Sequence, residues 1–410
     1  MIRSLAPVAA LLLGVAILLT GQGLQSTLLP VRAHMESFST IAIGVMGGAY
    51  FLGFTAGCLR GIRLVQKLGH VRVFAAMAAV ASATPLLHAL WLDTWAWWLL
   101  RLTTGFCFAV LYVVIESWLN EQSTNENRAG VFSAYVFISM TVMAVGQQMT
   151  ALYDPGDMAL FALASVLVSI AALPVVMSTS PAPCHNEAVR FDFRRLLEIS
   201  HTGMVVCFAT GLANGAFWAL APVFTSGISD KVSLAAGFMT GAVIGGAAGQ
   251  LPSGFWSDRV DRRIVISVLA LLASAVGVGL WLTYGMLSTA QLIVLGGAWG
   301  ALAFPMNSVA VAHTNDFAQE GEYVMVSGGL LLMYGIGAII GPALAAGAMT
   351  VMGDSVLYLY TAIIHLLVCV FVIVRQQRRD SAPMDQHVPF TEALTAVQTA
   401  SLVYEEEQER

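Results

Sequence analysis

Charged residues in this 410-residue chain stand almost entirely between uncharged intervals long enough to cross a lipid bilayer. No Asp, Glu, Lys or Arg falls between Arg3 and Arg32, Glu36 and Arg60, Arg72 and Asp93, Arg128 and Asp154, Asp157 and Glu187, Glu198 and Asp230, Lys231 and Asp258, Glu322 and Asp354, or Asp354 and Arg375. In hydrocarbon an apolar run must satisfy its own backbone, so each interval is predicted to be one helix of about 20 residues. The interval Arg263–Asp316 has room for two, with a break at Tyr284–Gly285. With the helix that contains Arg101, the chain is an all-α membrane protein of twelve spans. These lie at roughly 6–28, 41–59, 73–92, 95–117, 131–152, 158–178, 202–225, 233–252, 264–284, 290–311, 325–349 and 355–374.

The composition excludes a soluble domain. Charged residues are 10% of the chain and mean hydropathy is +0.77, against about 25% charged in soluble proteins. The net charge of −5 gives no reason to expect a nucleic-acid partner. Cys58, Cys107, Cys184, Cys207 and Cys369 are odd in number and form no CxxC, which argues against a disulfide framework or a zinc site. No cofactor motif is present. The first apolar run continues past Thr20 to Pro30, so it reads as an uncleaved span.

Basic residues orient the chain. With the N-terminus inside, the cytoplasm receives Arg3, Arg60, Arg63, Lys67, Arg72, Arg128, Arg190, Arg194, Arg195, Arg259, Arg262, Arg263, Arg375, Arg378, Arg379 and Arg410. The outside receives only Arg32 and Lys231. Both termini are expected in the cytoplasm of a bacterial cell with the protein, a monomer, in the inner membrane. One departure is the loop after span ten, HTNDFAQEGEY, which has no Lys or Arg.

The chain also repeats. Gly53, Gly57 and Gly61 end span two, and Gly237, Gly241, Gly245 and Gly249 line span eight; a basic loop follows each. Four-residue glycine spacing makes a smooth stripe for a close neighbour. Two pseudo-symmetric six-span bundles, 1–178 and 201–379, are expected around a cytoplasmic linker, 179–200, with a cytoplasmic tail, 380–410. Internal repeats of this kind are characteristic of secondary transporters.

The loop after span eight, GFWSDRVDRR, resembles the signature of the major facilitator superfamily in Gly254, Asp258, Arg259, Arg262 and Arg263, with Asp261 where that family has Gly. The first-half counterpart, Gly61 to His70, keeps Lys67 and Gly69 but has Gln66 in place of the acid. Arg101-Leu-Thr-Thr-Gly105 is similar to the family's Arg-x-x-Gln-Gly. Span five lacks the glycine-proline motif of proton antiporters. VVIESWLN at 113–120, Asn127-Arg128, AHTND at 312–316 and LLLMYGIG at 330–337 resemble a bacterial subgroup of YcaD-like facilitators. The resemblance implies alternating access of two bundles around a cavity lined by spans one, four, seven and ten, with no established substrate.

Arg101 and Glu116 are the two charges that fall inside a predicted span. A charge there costs about 2.5–3.5 kcal/mol and usually faces protein or a wet cavity. They are about 22 Å apart along the helix and about 60° apart around it, so they cannot pair. They mark the ends of one polar face, with Gly105, Ala109 and Tyr112 between. Arg101 is a candidate for sensing solute charge or a proton site, or else a structural cation. Glu116 can carry a proton, or lock a gate by pairing with Arg128 or loop basics; the lock is the preferred reading. Gln22, Gln25, Asn214, Trp218 and Asn307 are candidate solute-binding residues as a group, though each alone reads equally as an interhelical hydrogen bond. Gln147, Gln148 and Tyr334 are weaker candidates. Asp258 with Arg259, Arg262 and Arg263 is expected to brace helix ends and control conformation.

His201, Met204 and Cys207 at i, i+3 and i+6 suit a soft metal such as Cu(I), but span seven has no Met-x-x-x-Met pair. Phe390, Leu394, Val397 and Leu402 have near-helical spacing in the tail. No Walker loop, HExxH or nucleophile–base set occurs, so the chain reads as no enzyme. It reads as a secondary transporter of a small-molecule substrate, with protons as the candidate coupling ion. A Cu(I) importer of the same fold and a non-transporting receptor are the alternatives. Spans seven and ten carry no fixed ion pair, which points mildly to a neutral, zwitterionic or lipophilic solute.

Overall fold

A computed structural model describes residues 8–124, 127–177, 192–319, 322–378, 387, 388 and 390, with backbone alone at 128 and 129. Twelve helices in it are long and apolar enough to cross a membrane, as the charge-free intervals predict. They are α1 (Ala9–Met35), α2 (Thr40–Leu68), α3 (His70–Leu90), α4 (Thr94–Glu121), α5 (Arg128–Met149), α6 (Ala159–Val176), α7 (His201–Ser226), α8 (Val232–Ser257), α9 (Arg262–Leu282), α10 (Thr289–Asn315), α11 (Tyr323–Met352) and α12 (Val356–Gln376). The α1–α2, α3–α4 and α5–α6 turns lie at what is here called the far end. The opposite, linker end carries the residues that join α6 to α7.

Helix starts follow local rules. Ser39, Asp93 and Ser200 each place a side-chain oxygen on a free N–H of the first turn, and Ser288 forms a capping box with Gln291. Gly69, at φ 85°, separates α2 from α3 by a single residue. The first-half loop expected between Gly61 and His70 is therefore mostly helix. Pro305 restarts α10 after Ala303.

Most helices outrun their predicted spans. Hydropathy reports the hydrocarbon-facing part, whereas a helix continues until its backbone is capped. Charged residues thus enter the helix ends: Arg32 lies within α1, buried, donating to the Pro155 carbonyl at 2.8 Å and pairing with Glu36 at 2.7 Å. The predicted linker contains one short helix, Phe193–Ile199, N-capped by Asp192.

The repeat is visible in which backbones touch. A Cβ added at Gly53 would meet the Leu102 carbonyl, and one at Gly105 the Tyr50 carbonyl, so α2 and α4 meet backbone to backbone. In the second half α8 and α10 meet the same way, Gly245 against Gly297 and Gly300 against Ala242. Gly146 lies on the Thr20 carbonyl between α1 and α5, and Gly341 lies on the Leu212 carbonyl between α7 and α11. The pairs 1–5 and 2–4 of one half thus recur as 7–11 and 8–10 in the other.

Between the halves, α2 meets α11 and α5 meets α8. A Cβ at Gly44 would come 2.6 Å from the Pro342 carbonyl, and one at Gly48 equally close to the Ile339 carbonyl. Gln148 Nε2 donates to Thr240 Oγ1 at 2.9 Å, and the Thr240 hydroxyl lies 3.3 Å from the Ala144 carbonyl. All these contacts sit toward the far end.

The glycine stripe of α2 is not uniform. At Gly61 the nearest neighbour of an added Cβ is 3.4 Å away, an ordinary contact, whereas at Gly53 it is carbonyl oxygen in overlap. Gly53→Ala is expected to destabilise by about 1–3 kcal/mol through overpacking, and Gly61→Ala to leave the melting temperature within error. Thermal unfolding of the two purified variants checks the contrast.

Candidate functional site

The polar residues of the first half gather on α1, α2 and α4. Gln22 on α1 is the link: its Nε2 donates to Tyr50 Oη at 2.9 Å, and its Oε1 accepts from Tyr112 Oη at 2.8 Å. Both ends of the amide are used, so Gln22 ties the other two helices together at mid-height and its orientation is fixed. Tyr50 keeps its own hydroxyl proton to donate. Tyr50 and Tyr112 were not among the predicted binding residues. Tyr112 had a signal, its place on the polar face of α4. Tyr50 had none, since its role comes from partners on two other helices.

Arg101 lies against this group. Its guanidinium carbon is 4.3 Å from the centroid of the Tyr50 ring. The residue is partly exposed, and its Nε is buried without a hydrogen-bond acceptor among the described residues. No described carboxylate stands within ion-pair distance of it. The polar face expected along α4 is mostly closed, because Gly105 and Ala109 are covered by α2 at Tyr50 and Gly57. Phe54 extends the aromatic wall, its ring 6.0 Å from that of Tyr112 and 6.2 Å from that of Tyr50.

Glu116, further along α4, is 2% exposed and its Oε1 accepts from Tyr135 Oη at 3.2 Å. No described cation pairs with it, and the Arg128 side chain lies outside the described residues. Two positions toward the linker end the neighbouring Trp118 packs on His70, whose Nε2 is 2.9 Å from Ser117 Oγ.

The second half contributes apolar surface and amides. Trp218 on α7 stacks on Phe304 on α10 with centroids 5.8 Å apart and an interplanar angle of 8°, and both are partly exposed. Asn214, one turn before Trp218, faces the Tyr334 hydroxyl of α11. Asn214 Oδ1 and Asn307 Oδ1, with Gln25 Oε1 on α1 of the first half, are buried without donors among the described residues.

The signature loop is organised differently from expectation. Asp258, predicted to act with Arg259, instead takes Arg262 Nη1 at 3.3 Å. Arg259 stacks on the Phe255 ring at 3.3 Å and donates to the Phe255 carbonyl. Asp261 N-caps α9 and pairs with Arg263 at 2.7 Å. Burial works against ionisation of Asp261, but the Arg263 hydrogen bonds and charge outweigh it and hold the carboxyl below its ordinary value. Arg262 is fully buried and reaches Asp316 at 2.7 Å. That pairing explains the loop without Lys or Arg, whose acid neutralises a cation supplied by α9. These pairs lie inside the second half and do not bridge the bundles.

The soft-metal donors do not converge. His201 is exposed, while Met204 and Cys207 lie in the core, about 9 Å of helix separating the first from the last. Among the described residues no three His, Cys, Asp or Glu side chains stand close enough to hold a metal ion. In the tail, Phe390 is described and buried; Leu394, Val397 and Leu402 lie outside the described residues.

The linker helix is fastened to α11. Arg195 holds Glu322 with two hydrogen bonds, Nε to Oε1 at 2.7 Å and Nη2 to Oε2 at 3.2 Å. This hydrogen bonding to Arg195 keeps the Glu322 carboxyl below its ordinary value. A carboxylate shifted downward contributes above its unfolded value and loses the contribution as pH falls through the lowered one. Measured as protection relative to the free chain, amides 193–199 are therefore expected to be protected at neutral pH and to lose that protection as pH falls through the lowered Glu322 value. In Glu322→Gln protection is expected to be weaker at neutral pH, with the difference from the unsubstituted protein vanishing once Glu322 is protonated.

The sequence model of the Major Facilitator Superfamily matches residues 203–403. An uncharacterized MFS-type transporter of Enterobacter sp. (strain 638) is 27% identical over 361 residues, which is 87% of this chain and 92% of the relative. The uncharacterized MFS-type transporter YcaD of Escherichia fergusonii is 25% identical over 380 residues, 92% of this chain and 98% of the relative. A mutant of the nucleoside transporter NupG superposes with a TM-score of 0.76 at 14% identity, covering 90% of this chain and 99% of that one. The chain has the major facilitator fold, twelve spans in two pseudo-symmetric six-helix bundles. It resembles transporters of that superfamily, the YcaD-like ones included, over most of its length.

Proposed function

We propose that this chain, a multi-pass transporter of the major facilitator fold, is a secondary transporter that moves a small organic acid by alternating access. The observation that carries the solute class is Arg101, a partly exposed cation beside Tyr50 with no acidic partner among the described residues. Its charge costs about 2.5–3.5 kcal/mol in the membrane, and a cation–π contact returns about 0.5–2 kcal/mol. A carboxylate on the solute supplies the remaining compensation. The Tyr50 hydroxyl is the neighbouring free donor, and Gln22, held at both ends, keeps that hydroxyl in place.

The rest of the solute meets flat apolar surface. Tyr50, Phe54 and Tyr112 form one wall, and the stacked Trp218 and Phe304 offer another from the second half. Asn214 and Asn307, with free amide oxygens, suit solute N–H or O–H groups. The far end is closed by α2 on α11 and by α5 on α8. Basic residues at the linker end orient it to the cytoplasm of the bacterial cell, so this is the inward-facing state. No ATP motif occurs, and the energy comes from a gradient.

Glu116 is the group proposed to carry the coupled proton. It is buried beside Tyr135, without a described cation, on the same helix as Arg101. Burying an unpaired carboxylate is costly, so a proton taken up there neutralises the side chain before the site changes sides. The two functions are separable because the residues are about 22 Å apart.

A thermal-shift screen of the purified protein with organic acids and their neutral amides identifies the solute. Hydrogen bonds to a charged group contribute about 1.5–3 kcal/mol, so Arg101→Ala is expected to weaken the acid about 10- to 150-fold. Arg101→Lys is expected to retain part of that affinity. Equal binding of the amide, or an unaffected Arg101→Ala, would refute the carboxylate reading.

For coupling, Glu116→Gln is expected to keep solute binding and counterflow in proteoliposomes while losing uptake driven by a pH gradient. Persistent pH-driven uptake in that variant would place the proton elsewhere.

A further inference from the structure

The buried charges around Arg262 do more than hold helix ends. Arg262 Nε reaches Asp316 Oδ2 at 2.7 Å, and its Nη1 reaches Ser257 Oγ at 3.2 Å and Asp258 Oδ1 at 3.3 Å. Its Nη2 donates to the main-chain carbonyl of Val388. The Val388 N–H donates to the other oxygen of Asp316 at 3.0 Å. Two residues on, the Phe390 N–H donates to Asp258 Oδ1 at 3.1 Å. Three side chains from the ends of α8, α9 and α10 thus read both polar groups of one tail residue and the donor of another. They read main chain, which any sequence presents.

Selectivity comes from the ring. Phe390 is 3% exposed. It lies on Gly254, and all three nearest atoms to a Cβ added there belong to the Phe390 ring. Gly254 is bare where the ring sits. Main-chain hydrogen bonds for affinity and one side-chain pocket for specificity are the elements of a peptide-recognition site.

We propose that the α8–α9 loop with the end of α10 is a peptide-docking site whose occupant is this chain's own tail, seated through Val388 and Phe390, and that the docked tail favours the state seen here. Asp258 and Arg262, beside the exposed Arg259, are loop groups with charge to offer the other bundle when the linker end closes. The tail holds both. With the tail docked the closing contacts are withheld; with it released they become available. The tail is a competitor for the loop. This does not depend on which solute is carried, or on whether Arg101 binds it.

Hydrogen exchange on the full-length chain tests the seat, because the amides of Val388 and Phe390 are bonded to carboxylates. In the unsubstituted protein they are expected to exchange roughly ten-fold or more slower than in a free peptide of the same sequence. Gly254→Ala puts a methyl group where the ring lies and touches nothing else so closely, so the protection is expected to vanish. Phe390→Ala removes the ring instead and is expected to do the same, which guards against a folding defect in either variant. Spin labels on Arg72→Cys and Glu198→Cys, at the linker end of the two halves, read the equilibrium. Their distance distribution is expected to shift toward the shorter population in Gly254→Ala. Fast exchange in the unsubstituted chain, or an unchanged distribution in Gly254→Ala, overturns the proposal. Neither readout uses transport, so failure here is distinct from failure of the solute reading.

Discussion

Helices in hydrocarbon gain little by hiding leucine from lipid, so their association rests on how closely they approach. Here the approach is backbone on backbone. The contacts at Gly53, Gly105, Gly245 and Gly300 leave no room for a methyl group, and each brings two helix axes near their minimum separation. The same small-residue contact, at Gly44 and Gly48, joins the two halves. The far-end seal is therefore smooth and carries few polar links, the Gln148–Thr240 hydrogen bond among them. A seal of that kind fits its partner closely and rests on few hydrogen bonds.

Against this uniform packing the charged groups are unevenly placed. Arg262 is surrounded by Asp258, Asp316 and main-chain carbonyl, and is satisfied. Arg101 and Glu116 lie on one helix of the other half, one against an aromatic face and the other against a phenol. Neither has a described counter-ion. The half that repeats the fold does not repeat the chemistry: the first holds the two charges without a described counter-ion, and the second holds paired charges and the Trp218–Phe304 stack. Symmetry of packing with asymmetry of polarity is the combination that the proposed rocking of two halves about a lopsided solute requires.

The spans were legible because charge is excluded from hydrocarbon, and that exclusion is written residue by residue. The break in α10 between Ala303 and Pro305 was not, since it falls in an interval that charge alone reads as continuous. The glycine stripes marked the right helices, yet spacing could not tell Gly53, in hard contact, from Gly61, in ordinary contact. Gln22 and Arg101 stood out as polar residues in apolar runs. Their partner Tyr50 did not, because an aromatic residue in a span is unremarkable until something touches its hydroxyl. Asp258 and Arg262 were recognisable by motif, but their engagement of Asp316 and residue 388 joins positions 54 and more apart. Only the fold brings such pairs together.

Two of the four helices that form the far-end seal are also the longest. At 29 and 30 residues, α2 and α11 run about 43–45 Å, against a hydrocarbon thickness of about 30 Å. The excess has to be taken up by leaning, or by ends that reach through the headgroups, where Arg60, Arg63 and Lys67 of α2 are at home. A thinner membrane asks for more lean and a thicker one for less. In the proposed alternating-access cycle the lean of these two helices is coupled to how the halves meet, which makes the bilayer a mechanical partner of the seal.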